Sequence, residues 1–262
     1  VTGDGKINVE DLQWQYLEGD GDFRSAEICK LRDQADFIIT NPPFSLFREF
    51  LAWIVEADKQ FVIIGNKNCI TYKEVFPLIK DNKLWSGRTE WSGGMWFETK
   101  NNEDVDKVID GMNMKNVPSI WITDIDHGRR HQPIPLMSMA DNLKFSKHKD
   151  IRGQEAYIHY ENYDAIEVPF TDSIPSDYDG IMGVPVSFLD KYCPEQFEIV
   201  GMCENEDLYK LKTKIYSSEE CKQAYIDKFG KKGTYDLNAS GVIIRNGLRE
   251  KVYQRILIRK KQ

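Results

Sequence analysis

The chain has 262 residues, of which 41% are hydrophobic and 12% aromatic, a length and composition that fit a folded protein of one large domain or one domain with a smaller partner. A formal charge of -7 speaks against non-specific wrapping of nucleic acid, although the local field, not the sum, attracts phosphate. No apolar run approaches the ~20 residues that cross a bilayer and no secretory leader opens the chain. The five cysteines (Cys29, Cys69, Cys193, Cys203 and Cys221) form no CxxC pair, which predicts reduced thiols in a cytoplasmic protein, with neither a disulfide framework nor a zinc or other metal site.

The chain opens without a methionine, on "VTGDGKINVEDL", and upstream sequence is expected. Its "GDGKI" matches only the second half of an EF-hand loop, with Asp11 where a glutamate is needed, so a polar turn is the reading preferred to calcium binding. From Gln34 an alternation begins. "DFIIT" (36–40) reads as a short strand buried in a parallel sheet. "SLFREFLAWIVEAD" then places Leu46, Phe47, Phe50, Leu51 and Ile54 on one helical face, with Ser45 as N-cap. "QFVIIGN" (60–66) is a second buried strand, and "TYKEVFPLI" a second helix with Thr71 and Glu74 at capping-box spacing and Pro77 as a kink or stop. Two more strands are predicted in "GGMWFE" and "VPSIWITDID", separated by a polar segment around 100–116. Strand–helix–strand–helix of this period predicts an α/β fold with a parallel sheet.

Beyond His127 the periodicity breaks up into proline, tyrosine and charge, which predicts an irregular, more β-like region over residues 127–262 after an α/β body over residues 1–126. Near the end, "GVIIRNGLREKVYQRILIRKK" sets two strand-like runs around Asn246-Gly247, a strong hairpin signal. Basic residues cluster at "HGRRH" (127–131), at "KFSKHKDIR" (144–152) and in the tail from Arg245 to Lys261. Each is read plainly as a solvated face, and alternatively as a phosphate-contacting patch.

The stretch with chemistry in it is Asn41-Pro42-Pro43-Phe44, at the carboxyl end of the first predicted strand, where ligands of open α/β sheets sit. Each proline fixes φ and lacks an N–H, so the carbonyls of Asn41 and Pro42 are held rigidly with no competing donor. Asn41 adds a side-chain acceptor and Phe44 a flat face. Two acceptors beside an aromatic plate suit an aromatic or amide NH₂ group. A stiff turn with a core phenylalanine accounts for the tetrapeptide equally well. Upstream, Asp22 and Phe23 pair a carboxylate with an aromatic after "QWQYL"; downstream, "SGGMWF" offers Gly93 and Gly94 for close approach and Trp96 or Phe97 as a second aromatic wall.

Together these segments resemble the amino-methyltransferases that use S-adenosylmethionine. "GDGDFRSAE", "TNPPFSLFREF", "IIGNKNCITYKEVF", "SGGMWF", "VPSIW", "YDAIEV", "YDGIMGVPVSFLDKY", "PEQFEI" and "YQRILIRK", in that order, resemble the EcoRI-type adenine-specific DNA methyltransferase family over roughly residues 18–260. The resemblance implies a Rossmann-like methyltransferase sheet and a C-terminal target-recognition region. It implies methyl transfer from S-adenosylmethionine to N6 of a flipped-out adenine in double-stranded DNA, as the modification partner of a restriction system. Asn41 and Pro42, with Pro43 and Phe44, would form the catalytic grip; Asp22, Phe23 and Asn41 would hold the cofactor; Phe44 with Trp96 or Phe97 would stack on the target base. Arg129, Arg130, Lys147 and Arg245 are the DNA-contact candidates. The family's glycine-bearing first strand has no match before Asp22, so an N-terminally incomplete sheet is expected. Two alternatives stand beside this reading: a non-catalytic DNA-binding relative, and an NPPF enzyme acting on RNA guanine or protein glutamine.

Overall fold

A computed structural model describes residues 16–91 and 93–261. The "GDGKI" segment and Asp11 lie outside the described residues, as does most of "QWQYL".

The chain first forms α1 (Ala26–Gln34), started by Ser25, whose side chain accepts the Ile28 N–H. The predicted strand follows as β1 (Phe37–Thr40), pairing in parallel with β2 (Gln60–Asn66) from Phe37↔Gln60 to Thr40↔Ile63. Between them runs α2 (Phe47–Glu56), which buries Phe47, Phe50, Leu51 and Ile54, the face its periodicity predicts. β2 pairs antiparallel with β7 (Ser119–Thr123), and β7 with the short β3 (Trp85–Ser86), giving the order β1-β2-β7-β3. The sheet is thus mixed and not the expected parallel one, with one parallel pair, because β7 enters from the β6 side and runs antiparallel to both of its neighbours.

Three local expectations are corrected. β1 is not buried on both faces: Phe37 and Ile39 are 54% and 71% exposed, because β1 is the outer strand of the described sheet and only alternate residues turn toward the core. Ser45 does not cap α2. The Pro43 carbonyl accepts the Leu46 N–H, a 3-10 turn forms over Phe44–Leu46, and the helix starts from Leu46 without a side-chain cap. Thr71 and Glu74 form no capping box either. Asn66 caps a 3-10 turn over Lys67–Thr71, and α3 (Phe76–Lys80) begins later with Pro77 in its first turn, where a missing N–H costs nothing.

The polar segment expected between strands folds into strands of its own. β4 (Met95–Glu98), β5 (Lys107–Ile109) and β6 (Met112–Val117) form an antiparallel sheet ordered β4-β6-β5, and β6 runs almost directly into β7. The overlooked signal is Asp110-Gly111, whose φ values of 51° and 81° make a two-residue hairpin turn. Asn246-Gly247, with φ 52° and 76°, makes the same kind of turn between β11 (Val242–Arg245) and β12 (Leu248–Lys251), as predicted.

After residue 127 a second mixed sheet forms from β8 (Ala165–Glu167), β9 (Ile181–Pro185), β10 (Phe197–Met202) and β13 (Arg255–Lys260), in the order β10-β13-β9-β8. Two helices add to it, α4 (Met139–Phe145) and α5 (Ser218–Phe229). α5 carries a full capping box between Ser217 and Glu220 and ends on left-handed Gly230. Sheet membership changes between residues 123 and 165, but the apolar core is continuous, running from Phe50 and Ile63 through Ile122 to Met182, Phe197 and Ile258. No helix among the described residues is long and apolar enough to cross a membrane. The five cysteines are free thiols.

Candidate functional site

Register decides which segments meet. Because β1 and β2 are parallel, Asn41 and Lys67, the residues that follow them, leave the sheet at the same edge. β7 runs the other way with Ser119 opposite Asn66, and the Lys67 N–H donates to the Pro118 carbonyl (2.8 Å), so β7 starts at that edge. Just before it, Val117 of β6 pairs with Met95 of β4. The Asn41–Phe44 turn, the Lys67–Asn68 turn and the start of the "GGMWF" strand are therefore gathered on one edge of the sheet.

In the Asn41–Phe44 turn, Pro42 is buried and anchors the loop, while Asn41 is exposed. Neither the Asn41 side chain nor the Pro42 carbonyl has a hydrogen-bond partner among the described residues. Two polar acceptors are thus left free by a segment that has no freedom to turn away. Phe44 is 42% exposed and lines a 600 Å³ groove with Leu46, Arg48, Glu49, Tyr72 and Glu74. The Arg48 guanidinium lies 4.3 Å from the centre of the Tyr72 ring and pairs with Glu74 (3.6 Å).

Asp22 and Phe23 have different fates. Asp22 takes both Nε and Nη2 of Arg24 (3.0 and 2.8 Å) and the Arg24 backbone N–H, which hold its carboxyl down at about 2. Arg24 also reaches Glu49 in the first turn of α2 (3.5 Å), so Asp22 sits close to the helix that leaves the Asn41–Phe44 turn. It is an ionised, part-exposed acceptor that fits an amino donor. Phe23 instead is buried, edge-on to Phe50 (5.1 Å between ring centres) and Trp53 (5.6 Å). Its ring belongs to the core between α1 and α2, which leaves it less open to a cofactor ring than the sequence suggests.

Trp96 and Phe97 are equally exposed, at 40%. As successive residues of one strand they point to opposite faces, so one of them at most can face Phe44. Gly94 is needed where it stands: its φ is +63°, and a Cβ there would lie 2.7 Å from the Val117 carbonyl oxygen. Gly93 has open space around it, so the close approach expected of both glycines falls on one.

The basic candidates are largely occupied. Arg129 pairs with Asp190 (2.9 Å) and donates to the Arg88 carbonyl. Arg130 is buried, bonded to Asp126 (3.1 Å) and to Asn82. Next to it, His131 bridges Asp126 and Glu195 at 2.8 Å each, so "HGRRH" clasps the first sheet to the C-terminal region. Lys147 is exposed but pairs with Asp172 (2.7 Å). In the tail, Arg245 pairs with Glu250, Arg249 with Glu161, Arg255 with Glu167 and Arg259 with Glu198. Sequence could not show most of this, because the acidic partners other than Asp126 and Glu250 are remote in the chain.

These features describe a mixed α/β protein with free acceptors and an exposed aromatic ring at a strand end, the equipment of an enzyme or binder for a flat amino-bearing group. The chain belongs to the family described as adenine-specific methyltransferase EcoRI, which it matches over residues 1–261. It is 40% identical over 213 residues to the Type II methyltransferase M.EcoRI of Escherichia coli, covering 77% of this chain and 61% of that protein. It is 35% identical over 210 residues to the Type II methyltransferase M.MpnI of Mycoplasma pneumoniae, covering 76% and 62%. To the Type II methyltransferase M.MgeORF184P of Mycoplasma genitalium it is 31% identical over 253 residues, covering 94% and 71%. The chain thus spans about three-fifths of the length of the first two relatives. No solved structure matches.

Proposed function

We propose that the protein is a site-specific DNA methyltransferase that moves a methyl group from S-adenosylmethionine to N6 of an adenine. Family membership supports the class, and the observation that carries the chemistry is the pair of free acceptors at Asn41 and Pro42 beside the exposed Phe44 ring. In this reading the β1-β2 pair is part of a Rossmann-like sheet, residues 1–126 are catalytic, and residues 127–262 recognise the target. The adenine is flipped out of the duplex, at a cost of a few kcal/mol, and stacks on Phe44 for roughly 1–3 kcal/mol in return. Trp96 or Phe97 forms the other wall.

The Asn41 side-chain oxygen and the Pro42 carbonyl accept the two N6 hydrogens, which fixes the amino group and turns its lone pair out of the ring plane. As N6 becomes positive during bond formation the same acceptors strengthen, so they favour the transition state over bound substrate. The amine proton is lost to water afterwards, and no strong base is required. S-adenosylmethionine, when bound, supplies a methyl on a sulfonium, an electrophile that needs no metal. Asp22 and Asn41 would hold its amino groups; Phe23 would contribute by holding the Asp22 loop onto α2. The full chain incubated with duplex DNA and S-adenosylmethionine should yield N6-methyladenine by mass spectrometry. Absence of that product, or methylation of RNA or protein instead, refutes the reading.

A further inference from the structure

Because the arginines of the tail and of "HGRRH" are paired with carboxylates, cations without such partners are the better placed to meet the phosphates of the substrate. A 560 Å³ cleft opens at the end of β2, on the sheet edge from which Asn41 also leaves, lined by Lys67 and Asn68 after β2, by Trp91, and by Ser187, Asp190 and Lys191 from the C-terminal region. Lys67 is half-buried and Lys191 exposed, and neither ammonium has a carboxylate partner among the described residues. The Asn68 backbone N–H donates to Asn66 Oδ1 (2.9 Å), but the Asn68 side-chain amide and the Ser187 hydroxyl have no partner among the described residues. Of the two carboxylates on the wall, Asp190 is engaged by Arg129 (2.9 Å), leaving Glu90 against two lysines. The cleft is rigidly walled: the Trp91 backbone N–H donates to Asp190 (3.3 Å), and Asn66 caps the turn that carries Lys67. In an acidic chain it is a local concentration of free donors, built from both regions.

We propose that this cleft is a phosphodiester subsite, in which Lys67 and Lys191 grip the backbone of the DNA strand whose base is held at Asn41. The inference rests on the DNA methyltransferase reading. It adds two substrate-positioning residues that lie 124 positions apart in the chain and belong to no basic cluster. Lys67 follows β2 and Asn41 follows the parallel β1, so both leave the sheet at the same edge, and Lys191 meets Lys67 there across the cleft. Lys is suited to the task as a compact point charge with three donors.

The test is the salt dependence of duplex DNA binding by the full chain, wild type against Lys67→Gln/Lys191→Gln. Loss of one phosphate contact should lower the slope of log K against log salt by about 1 and weaken binding about tenfold at moderate salt. KM for DNA should rise while kcat is kept, and Lys231→Gln, an exposed lysine at the end of α5, should change neither quantity. Lys191→Gln alone, on an exposed residue, gives a half-strength version should the double variant unfold. A slope equal to wild type in both cleft variants overturns the subsite. Methyl transfer by the wild type is scored separately: transfer with an unchanged slope removes the cleft and leaves the enzyme, whereas no transfer and no DNA binding removes both.

Discussion

The guanidinium of Arg130 lies 3.6 Å from the centre of the Trp85 ring, buried between that ring, Asp126 and Asn82. An arginine that looks like a DNA contact in sequence is thus an internal strut between β3 and the loop after β7. Its planar cation is used for stacking and for paired hydrogen bonds, which lysine would not reproduce.

Arg130→Ala should therefore destabilise the fold by about 3.5–5 kcal/mol, the sum of a desolvated cation–π contact and a lost charged hydrogen bond. Urea unfolding would measure it. The salt slope of DNA binding by the folded variant should match wild type; a reduced slope would show that the guanidinium does reach phosphate.

Asn41→Ala should leave stability within about 0.5 kcal/mol of wild type, since the side chain is exposed and unpartnered. Removing a transition-state acceptor should lower the rate of methyl transfer by about 10²–10³-fold with DNA affinity nearly kept. Single-turnover kinetics and a binding titration separate the two, and a variant with wild-type kcat would sink the assigned role.

Gly94 and Gly93 offer a paired comparison. Gly94→Ala places a Cβ against the Val117 carbonyl in a left-handed conformation and should cost about 1–3 kcal/mol. Gly93→Ala meets nothing within 4 Å and should be close to neutral. Equal melting temperatures for the two variants would contradict the described turn.

Acid stability should depend on Glu161. Arg249 (2.8 Å) and Lys214 hold its carboxyl near 2, against an ordinary value of 4.5. A lowered folded value means stability fully present above pH ~4.5 and lost as pH falls through about 2, on the order of 1 kcal/mol after solvent screening of this partly exposed group. The stability gap between wild type and Arg249→Met should be wide at pH 6 and shrink toward pH 2.5. A gap independent of pH would mean that Arg249 stabilises by packing alone.

Part of this was legible in the chain. The apolar runs at 37–40 and 60–66, the helical face Phe47–Ile54 and the Asn246-Gly247 turn follow from local periodicity and turn chemistry, because those forces act between near neighbours. The Asp110-Gly111 turn and the Ser217–Glu220 box carried equally local signals that the polar surroundings hid. The carboxamide, the two prolines and the ring at 41–44 marked the candidate grip, since only those residue types leave acceptors rigid and free.

Tertiary structure alone decided the rest. Burial turned Phe23 and Arg130 inward, and strand pairing set Trp96 and Phe97 on opposite faces. Folding brought acidic partners from up to 88 residues away onto the basic tail, while bringing Lys67 and Lys191 to one cleft with no carboxylate partner among the described residues. A side chain's chemistry is written in sequence, but its availability depends on which distant groups reach it first, and that is fixed only when the sheets pair and the core closes.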